Sequence, residues 1–323
     1  MKTAILTDHL MERDEVSFML EVILNMFPDA CILTLVHHPG KILGAIEQRK
    51  IYSTYLSHIV NNKKDFLRQS YMIPSAVKEL PLKEFEQIFC FSRGFSHGVK
   101  IEKHQRKFTY ILEWNQLVND YGLGWKAIYW PLVQNWRAIK SFENERYVLS
   151  SESLQQNIGL SLPKLAPFFD ASYFSFSLEF GKFYLLNSAG MDKKTMDLFV
   201  SVFQRLGLNL RIEDNQKQIA QMIHEAKVYI DLNNYELPFS LLRAFSTGCP
   251  SIIKKNKVNQ EFFSNSTSLM IEELEKEILT QKISNFEKER TLIDRKKLRR
   301  EALKFNGRFF KQQLKDNLQA FFK

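Results

Sequence analysis

Cysteine is scarce in this chain, since its 323 residues include only Cys31, Cys90 and Cys249. Three widely separated thiols provide neither a disulfide framework nor the paired spacing of a zinc site. We therefore expect reduced, buried thiols in a cytoplasmic protein, with no bound metal. Glycine (12 residues) and proline (9 residues) are also few, which argues against a disordered or loop-rich chain.

Long apolar runs are missing as well. No stretch approaches the roughly 18 apolar residues of a membrane-spanning helix. The N-terminal apolar stretch is interrupted by Asp8, which is too early for the apolar region of a signal peptide. No Walker A, GxGxxG, zinc or Ser/His/Asp pattern is present, so these chemistries are not expected. The chain is longer than a single hydrophobic core usually supports, which predicts two domains of about 150 residues.

Hydrophobic periodicity predicts alternating strands and helices in the first half of the chain. Continuous apolar runs with β-branched residues indicate buried strands, and apolar residues at helical spacing indicate helices. A strand, a helix and a second strand within about 36 residues are typical of a parallel sheet covered by helices. The expected strands are residues 2–7, 30–36, 85–91, 108–114 and 146–150, and the expected helices are residues 12–26, 63–71 and 125–140.

The same alternation restarts near residue 182, which predicts a second doubly wound domain. We expect an N-terminal domain over residues 1–165, a shortened C-terminal domain over residues 166–285, and a helical segment over residues 286–323. The expected strands of the second domain are residues 182–187, 208–212, 228–232 and 251–255, and its expected helices are residues 193–206, 216–226 and 239–246.

The net charge of +9 is concentrated at the end of the chain. Residues 286–323 hold 12 Lys/Arg and 5 Asp/Glu, a net charge of +7. Such a segment suits an anionic membrane surface, and equally a solvated face of a helix that docks on its own protein. Regularly spaced stacking aromatics are missing, so no nucleic-acid partner is expected. Its apolar residues predict one docking face, formed by Leu303, Phe309, Phe310, Leu314, Leu318, Phe321 and Phe322.

Several segments, in order along the chain, resemble the group 1 (family 4-like) GT-B glycosyltransferases that build bacterial surface polysaccharides. The strongest is residues 236–250, ELPFSLLRAFSTGCP, which resembles the family pattern E-GLPisLLEAmAtGvP. The others are residues 27–34 (FPDACILT), 52–56 (YSTYL), 71–76 (YMIPSA), 85–99 (FEQIFCFSRGFSHGV), 146–151 (RYVLSS) and 166–167 (AP).

The resemblance implies an α/β protein of the GT-B class, with two Rossmann-like doubly wound domains facing a central cleft. It implies transfer of a hexose, with retention, from a nucleotide-sugar to a glycan or lipid-linked acceptor. The nucleotide-sugar is a substrate, and no cofactor is expected. A cytoplasmic protein that contacts the inner membrane face through its basic segment would fit that role.

The resemblance also implies donor-binding residues in the second domain. The family's phosphate-binding Arg and Lys fall at Ala189 and at Lys193 or Lys194. Its two glutamates fall at Tyr235 and Arg243. Glu236 lies one place from the first of these positions and is the candidate to replace it.

In the first domain the family's glycine-rich loop falls at residues 10–15 (LMERDE), which contain no glycine. The family's histidine falls at Arg93, and His97 is the candidate catalytic replacement. The family's acceptor-side segment is replaced by residues 112–116 (LEWNQ).

Two hypotheses follow from these departures. The first is an active hexosyltransferase that uses His97 and Glu236 for catalysis, and Lys193, Lys194, Arg243 and Tyr235 for donor binding. The second is a catalytically inactive GT-B protein that binds a partner glycosyltransferase, a glycan or a membrane surface. The first predicts binding of a UDP- or GDP-sugar with slow hydrolysis or transfer, and absence of nucleotide binding would favour the second.

Overall fold

The chain forms two compact units. The structure is a computed structural model that describes residues 2–114, 126–140, 143–263, 268–289 and 292–322. The first unit comprises Met1–Pro167 together with Phe310–Lys323, and the second comprises Phe168–Phe309. Residues 286–309 therefore belong to the second unit and residues 310–323 to the first.

Each unit contains one parallel sheet. The strands are β1 (Thr3–Leu10), β2 (Cys31–His37), β3 (Ile51–Tyr52), β4 (Gln87–Ser92), β5 (Arg106–Ile111), β6 (Glu145–Leu149), β7 (Phe183–Asn187), β8 (Leu210–Glu213), β9 (Ala226–Asp231), β10 (Ser251–Lys254) and β11 (Ser268–Ile271). The order is β3-β2-β1-β4-β5-β6 in the first sheet and β11-β10-β9-β7-β8 in the second.

Helices connect and cover these strands. They are α1 (Glu15–Leu24), α2 (Lys63–Arg68), α3 (Ile73–Ala76), α4 (Lys126–Arg137), α5 (Glu152–Ile158), α6 (Lys193–Arg205), α7 (Gln216–Met222), α8 (Phe239–Thr247), α9 (Lys257–Phe262), α10 (Lys276–Glu289), α11 (Arg295–Leu303) and α12 (Gly307–Phe322). None of the described helices is long and apolar enough to cross a membrane.

Alternation along β4 shows how the first sheet is buried on both faces, because successive side chains point to opposite sides of a strand. Ile88 and Cys90 belong to the apolar cluster that includes the α2 and α3 residues Phe66 and Ile73. Phe89 points the other way and stacks on Phe108 of β5, with ring centroids 5.5 Å apart.

The terminal helix α12 packs against that second, aromatic face. Phe310 lies 6.0 Å from Tyr110 and Phe321 lies 6.2 Å from Phe108, measured between ring centroids. Phe310, Leu314 and Leu318 of this helix are buried. The expected single apolar face is wrong, since Leu303 ends the separate helix α11 and Phe309 is 60% exposed.

The second sheet is also covered on both faces. One face packs on α8 and α11 through residues such as Leu241 and Leu298. The other face packs on α6 and α10 through Phe199, Phe203 and Leu279. Part of the basic segment serves this unit, because the guanidinium group of Arg299 donates to the carbonyl oxygens of Phe174 (2.9 Å) and Ser246 (2.5 Å).

The predicted strands and helices are present, with shifted ends. The predicted helix over residues 12–26 begins only at Glu15, because Asp14 caps it and accepts from the Ser17 N–H. The expected uniform burial of the thiols is wrong for Cys31, which is half-buried. The segments that the sequence did not predict are β3, α3, α5, α9 and β11. The start of the predicted helix at Trp125 lies outside the described residues.

We predict that the apolar contacts around Phe199 are a main source of stability in the second unit. Its side chain is fully buried between the second sheet and α10. Phe199→Ala should lower the free energy of unfolding by about 3–5 kcal/mol, because it leaves a cavity. Phe309→Ala is the matched control and should change it by less than about 0.5 kcal/mol. Urea titration of both variants measures the difference, and equal losses would contradict this assignment of the core.

Candidate functional site

The order of the strands locates one switch point in each sheet. In the first unit the chain moves from β1 outward to β3 and then returns to β4 on the other side of β1. In the second unit it moves from β7 to β8 and returns to β9 on the other side of β7. Ligands of open α/β sheets bind beyond the carboxyl ends of the strands at such points.

At the switch point of the first unit, a buried carboxylate binds the loop that follows β4. Asp8 is fully buried and accepts hydrogen bonds from the backbone N–H groups of Arg93 (2.5 Å), Phe95 (3.3 Å) and Ser96. Burial raises the pKa of Asp8, and these donors offset part of that rise. Clustered N–H groups of this kind form an anion-binding concavity. Here the anion is part of the protein.

Arg93 is held in a buried ion-pair network. Its guanidinium lies 2.7 Å from the Asp14 carboxylate and 3.5 Å from that of Glu113. Burial alone would lower the pKa of Arg93 and raise that of Asp14. Their mutual attraction outweighs burial, so the pKa of Arg93 is raised and the pKa of Asp14 is lowered. A permanently charged guanidinium has no acceptor, so Arg93 cannot serve as a base.

His97 lies in the interior of the first unit. Its Nδ1 is 2.9 Å from the Ser92 hydroxyl, and its ring stacks on Trp114 with centroids 5.0 Å apart. Burial, together with the charges of Arg137 and Lys107, holds the pKa of His97 well below its ordinary value. The ring is therefore neutral at physiological pH, as a general base must be. Its catalytic role stays a prediction.

At the switch point of the second unit, Asp231 organises a cluster of polar side chains. Its Oδ2 accepts from the hydroxyl groups of Tyr229 (2.9 Å) and Ser240 (2.8 Å) and from the Asn187 amide (3.2 Å). Its Oδ1 accepts from the backbone and side-chain nitrogens of Asn233. Burial raises the pKa of Asp231 despite these donors. The carboxylate thereby joins the ends of β7 and β9 to the first turn of α8.

Two predicted donor-binding residues, Tyr235 and Arg243, and the predicted catalytic residue Glu236 lie in the segment that follows β9. Tyr235 and Glu236 lie in the loop between β9 and α8, and the Tyr235 hydroxyl accepts from the Asn187 amide at 3.1 Å. Arg243 is half-buried in α8. The helix follows Pro238, whose side chain cannot cap it. The positive end of α8 is thus next to the Asp231 cluster.

The predicted residues Lys193 and Lys194 are exposed in the first turn of α6. A carboxylate already caps this turn, because Asp192 accepts from the backbone N–H (2.9 Å) and the hydroxyl (2.7 Å) of Thr195. These hydrogen bonds lower the pKa of Asp192, which stays charged. Its negative charge disfavours a phosphate on the axis of α6 at the start of the helix. The two lysines could therefore contact a phosphate only beside the helix.

Several solved structures with the same architecture are glycosyltransferases. HepE from Anabaena, whose crystal structures contain UDP, UDP with glucose, or UDP-glucose, aligns with a TM-score of 0.65 at 11% identity over 99% of this chain and 100% of its own. Sucrose-phosphate synthase from Thermosynechococcus elongatus aligns with a TM-score of 0.67 at 12% identity over 100% and 99% of the two chains. The chain has the GT-B fold.

A third GT-B structure, WaaG, is a glycosyltransferase of lipopolysaccharide biosynthesis. It aligns with a TM-score of 0.59 at 9% identity over 93% of this chain and 95% of its own. No protein-family model and no curated protein matches the sequence. At these identities the likeness shows the GT-B fold, and the chemistry must be argued from the residues.

Sequence reasoning missed the buried polar residues that organise both switch points, which are Asp8, Asn187, Asp231 and Ser240. A signal was available for three of them, since Asn187 and Asp231 end β7 and β9, and Asp8 lies near the end of β1. A polar residue that ends an apolar run lies at the ligand-binding edge of a GT-B sheet. No described group of three His, Cys, Asp or Glu side chains could hold a metal ion.

We predict that Asp14→Asn removes the ion pair with Arg93 while keeping the helix cap, because asparagine caps as well as aspartate. At pH 7 the substitution should lower the free energy of unfolding by about 1.5–3 kcal/mol, which is the contribution of a charged hydrogen bond. The folded-state pKa of Asp14 lies below its unfolded value of 3.8. The stabilisation is therefore present above pH 3.8 and disappears as the pH falls through the folded-state pKa.

Chemical denaturation of both proteins between pH 7 and pH 3 measures this difference. Asp192→Asn makes the same substitution at the exposed cap of α6 and should change stability much less. A difference between wild type and Asp14→Asn that stays constant across the pH range would contradict the ion-pair assignment.

Proposed function

We propose that this chain binds a nucleoside-diphosphate sugar at the carboxyl end of its second sheet. We further propose that it transfers the hexose, with retention, to a glycan or lipid-linked acceptor of bacterial surface polysaccharide. The GT-B fold, the binding of UDP-glucose by HepE and the role of WaaG in lipopolysaccharide synthesis support this reaction class. The resemblance of residues 236–250 to the family motif supports the place of binding.

The start of α8 carries the proposal. A diphosphate needs N–H groups and cations, and a helix N-terminus supplies both the groups and a favourable dipole. Pro238 precedes α8 without capping it, whereas Asp192 caps α6 with a negative charge. Of these two helix starts, α8 is thus the better anion site.

Hydrogen bonds fix the start of α8 in place. The Ser240 hydroxyl is bound to Asp231 at 2.8 Å, and the Leu242 N–H donates to the Pro238 carbonyl oxygen at 2.9 Å. Arg243 lies one turn into this helix, and helical side chains lean toward the N-terminus. Its guanidinium can then pair with phosphate in two parallel hydrogen bonds, which the family's glutamate at this position cannot do.

We predict that UDP, GDP or CMP, alone or linked to a sugar, raises the thermal stability of the protein. A ligand at 100 times its dissociation constant stabilises the folded state by about 2.7 kcal/mol. Arg243→Met should raise the dissociation constant of the nucleotide at least about tenfold, since it removes a charged hydrogen bond. Lys288→Met, an exposed lysine in the last turn of α10, is the control for loss of one positive charge. No stabilisation by any of the nucleotides would contradict the proposal.

The second candidate function is donor binding without transfer, in a protein that serves a partner glycosyltransferase or a membrane-bound glycan. The paired Arg93 favours it, because a buried guanidinium held by Asp14 and Glu113 occupies the position of the family's histidine. Asp8 favours it too, because its carboxylate occupies the N–H groups of the loop after β4.

Turnover separates the two candidates. If the protein is a transferase, His97→Gln should lower hydrolysis or transfer of its bound nucleotide-sugar at least about 100-fold, the usual contribution of a general acid or base. The dissociation constant of the nucleotide, measured by calorimetry, should stay unchanged and reports that the variant is folded. Binding without detectable turnover in the wild type would favour the partner protein.

A further inference from the structure

The side-chain amide of Asn187 has a fixed orientation. Its Oδ1 accepts from the backbone N–H of Ala189 at 3.1 Å, so its Nδ2 must face the other way. The Asp231 carboxylate requires the same orientation, because it can only accept and lies 3.2 Å from Nδ2. Two independent contacts therefore direct the N–H groups of Asn187 into the cluster.

One of these N–H groups fixes the hydroxyl of Tyr235. The Asn187 Nδ2 donates to the Tyr235 oxygen at 3.1 Å. A phenol has one hydrogen, and that hydrogen must then point away from Asn187. As a whole residue Tyr235 is 37% exposed. Burial and the charge of Asp231 raise the pKa of Tyr235, which keeps the hydrogen in place at physiological pH.

Tyr229, in the same cluster, shows the opposite arrangement. It is fully buried, and its hydroxyl donates to Asp231 at 2.9 Å. Both tyrosine oxygens accept from Asn187, and the Tyr229 hydroxyl is also bonded to Asp231. The hydrogen of Tyr229 is used inside the protein, whereas that of Tyr235 points away from Asn187.

The surroundings of Tyr235 favour a negatively charged acceptor. Asn187 connects Tyr235 to Asp231, and Asp231 binds Ser240 in the first turn of α8. The positive end of the helix dipole therefore lies next to the Tyr235 hydroxyl. The charge of Asp231 is balanced by donors from Tyr229, Ser240, Asn187 and Asn233, which reduces its repulsion of an anion.

We infer that the Tyr235 hydroxyl donates a hydrogen bond to an anionic oxygen of the bound ligand, and so selects the donor. This inference rests on the proposed nucleotide site. The anionic oxygen belongs either to the diphosphate or to the carboxylate of an acidic sugar such as a hexuronate. Asn187 and Asp231 act as positioning residues that keep the hydroxyl turned outward.

The test compares Tyr235→Phe and Tyr229→Phe with the wild type by calorimetric titration of UDP, UDP-glucose, UDP-glucuronate and inorganic pyrophosphate. Each substitution removes one oxygen from the same cluster. Tyr235→Phe should weaken binding at least about tenfold, whereas Tyr229→Phe should lower the melting temperature and leave affinity within about twofold. An equal loss for all four ligands supports the diphosphate, and a loss confined to UDP-glucuronate supports the sugar carboxylate.

Two results would overturn the inference, and they differ. If the wild type binds a ligand and Tyr235→Phe binds all of them equally well, the inference fails while the proposed function stands. If the wild type binds none of the four ligands, and GDP and CMP also fail to bind, the proposed function fails as well. The melting temperature of Tyr235→Phe, which should match that of the wild type, shows that the variant is folded.

Discussion

A buried carboxylate must find hydrogen-bond donors inside the protein, and both sheets depend on this constraint. An unpaired charge in the interior costs far more free energy than a domain can lose. Asp8 meets the requirement with the backbone N–H groups of one loop. Asp231 meets it with side chains from two strands and one helix. Each carboxylate thereby determines the shape of the chain at the edge where ligands of this fold bind.

The alternation of strands and helices could be predicted because parallel sheets bury both faces and leave continuous apolar runs. The end of β1 could not be predicted, since the strand continues through the polar residues Asp8 and His9 to Leu10. Burial of Asp8 depends on partners more than 80 residues away in the chain, such as the backbone N–H of Arg93. Short edge elements such as β3, with two residues, carry too little pattern to be recognised.

The candidate site was predictable to a smaller degree. A motif resemblance singled out Tyr235, Glu236 and Arg243; the first two lie in the loop after β9 and Arg243 lies in α8, and their roles stay predictions. It did not include Asn187, whose only sequence signal is its position at the end of an apolar strand. The direction of its amide is visible only in the structure. His97 shows a similar limit, since its position next to a glycine gave no sign that the ring would stack on Trp114.

The return of the chain to the first unit has a consequence for synthesis on the ribosome. Phe310 and Phe321 cover the aromatic face of β5, yet about 140 residues of the second unit separate them from Pro167. The second unit can therefore fold while the first unit still exposes Phe108 and Tyr110 to water. The first unit cannot be completed before residues 310–322 have been synthesised, and during that interval its aromatic face is open to aggregation or to a chaperone.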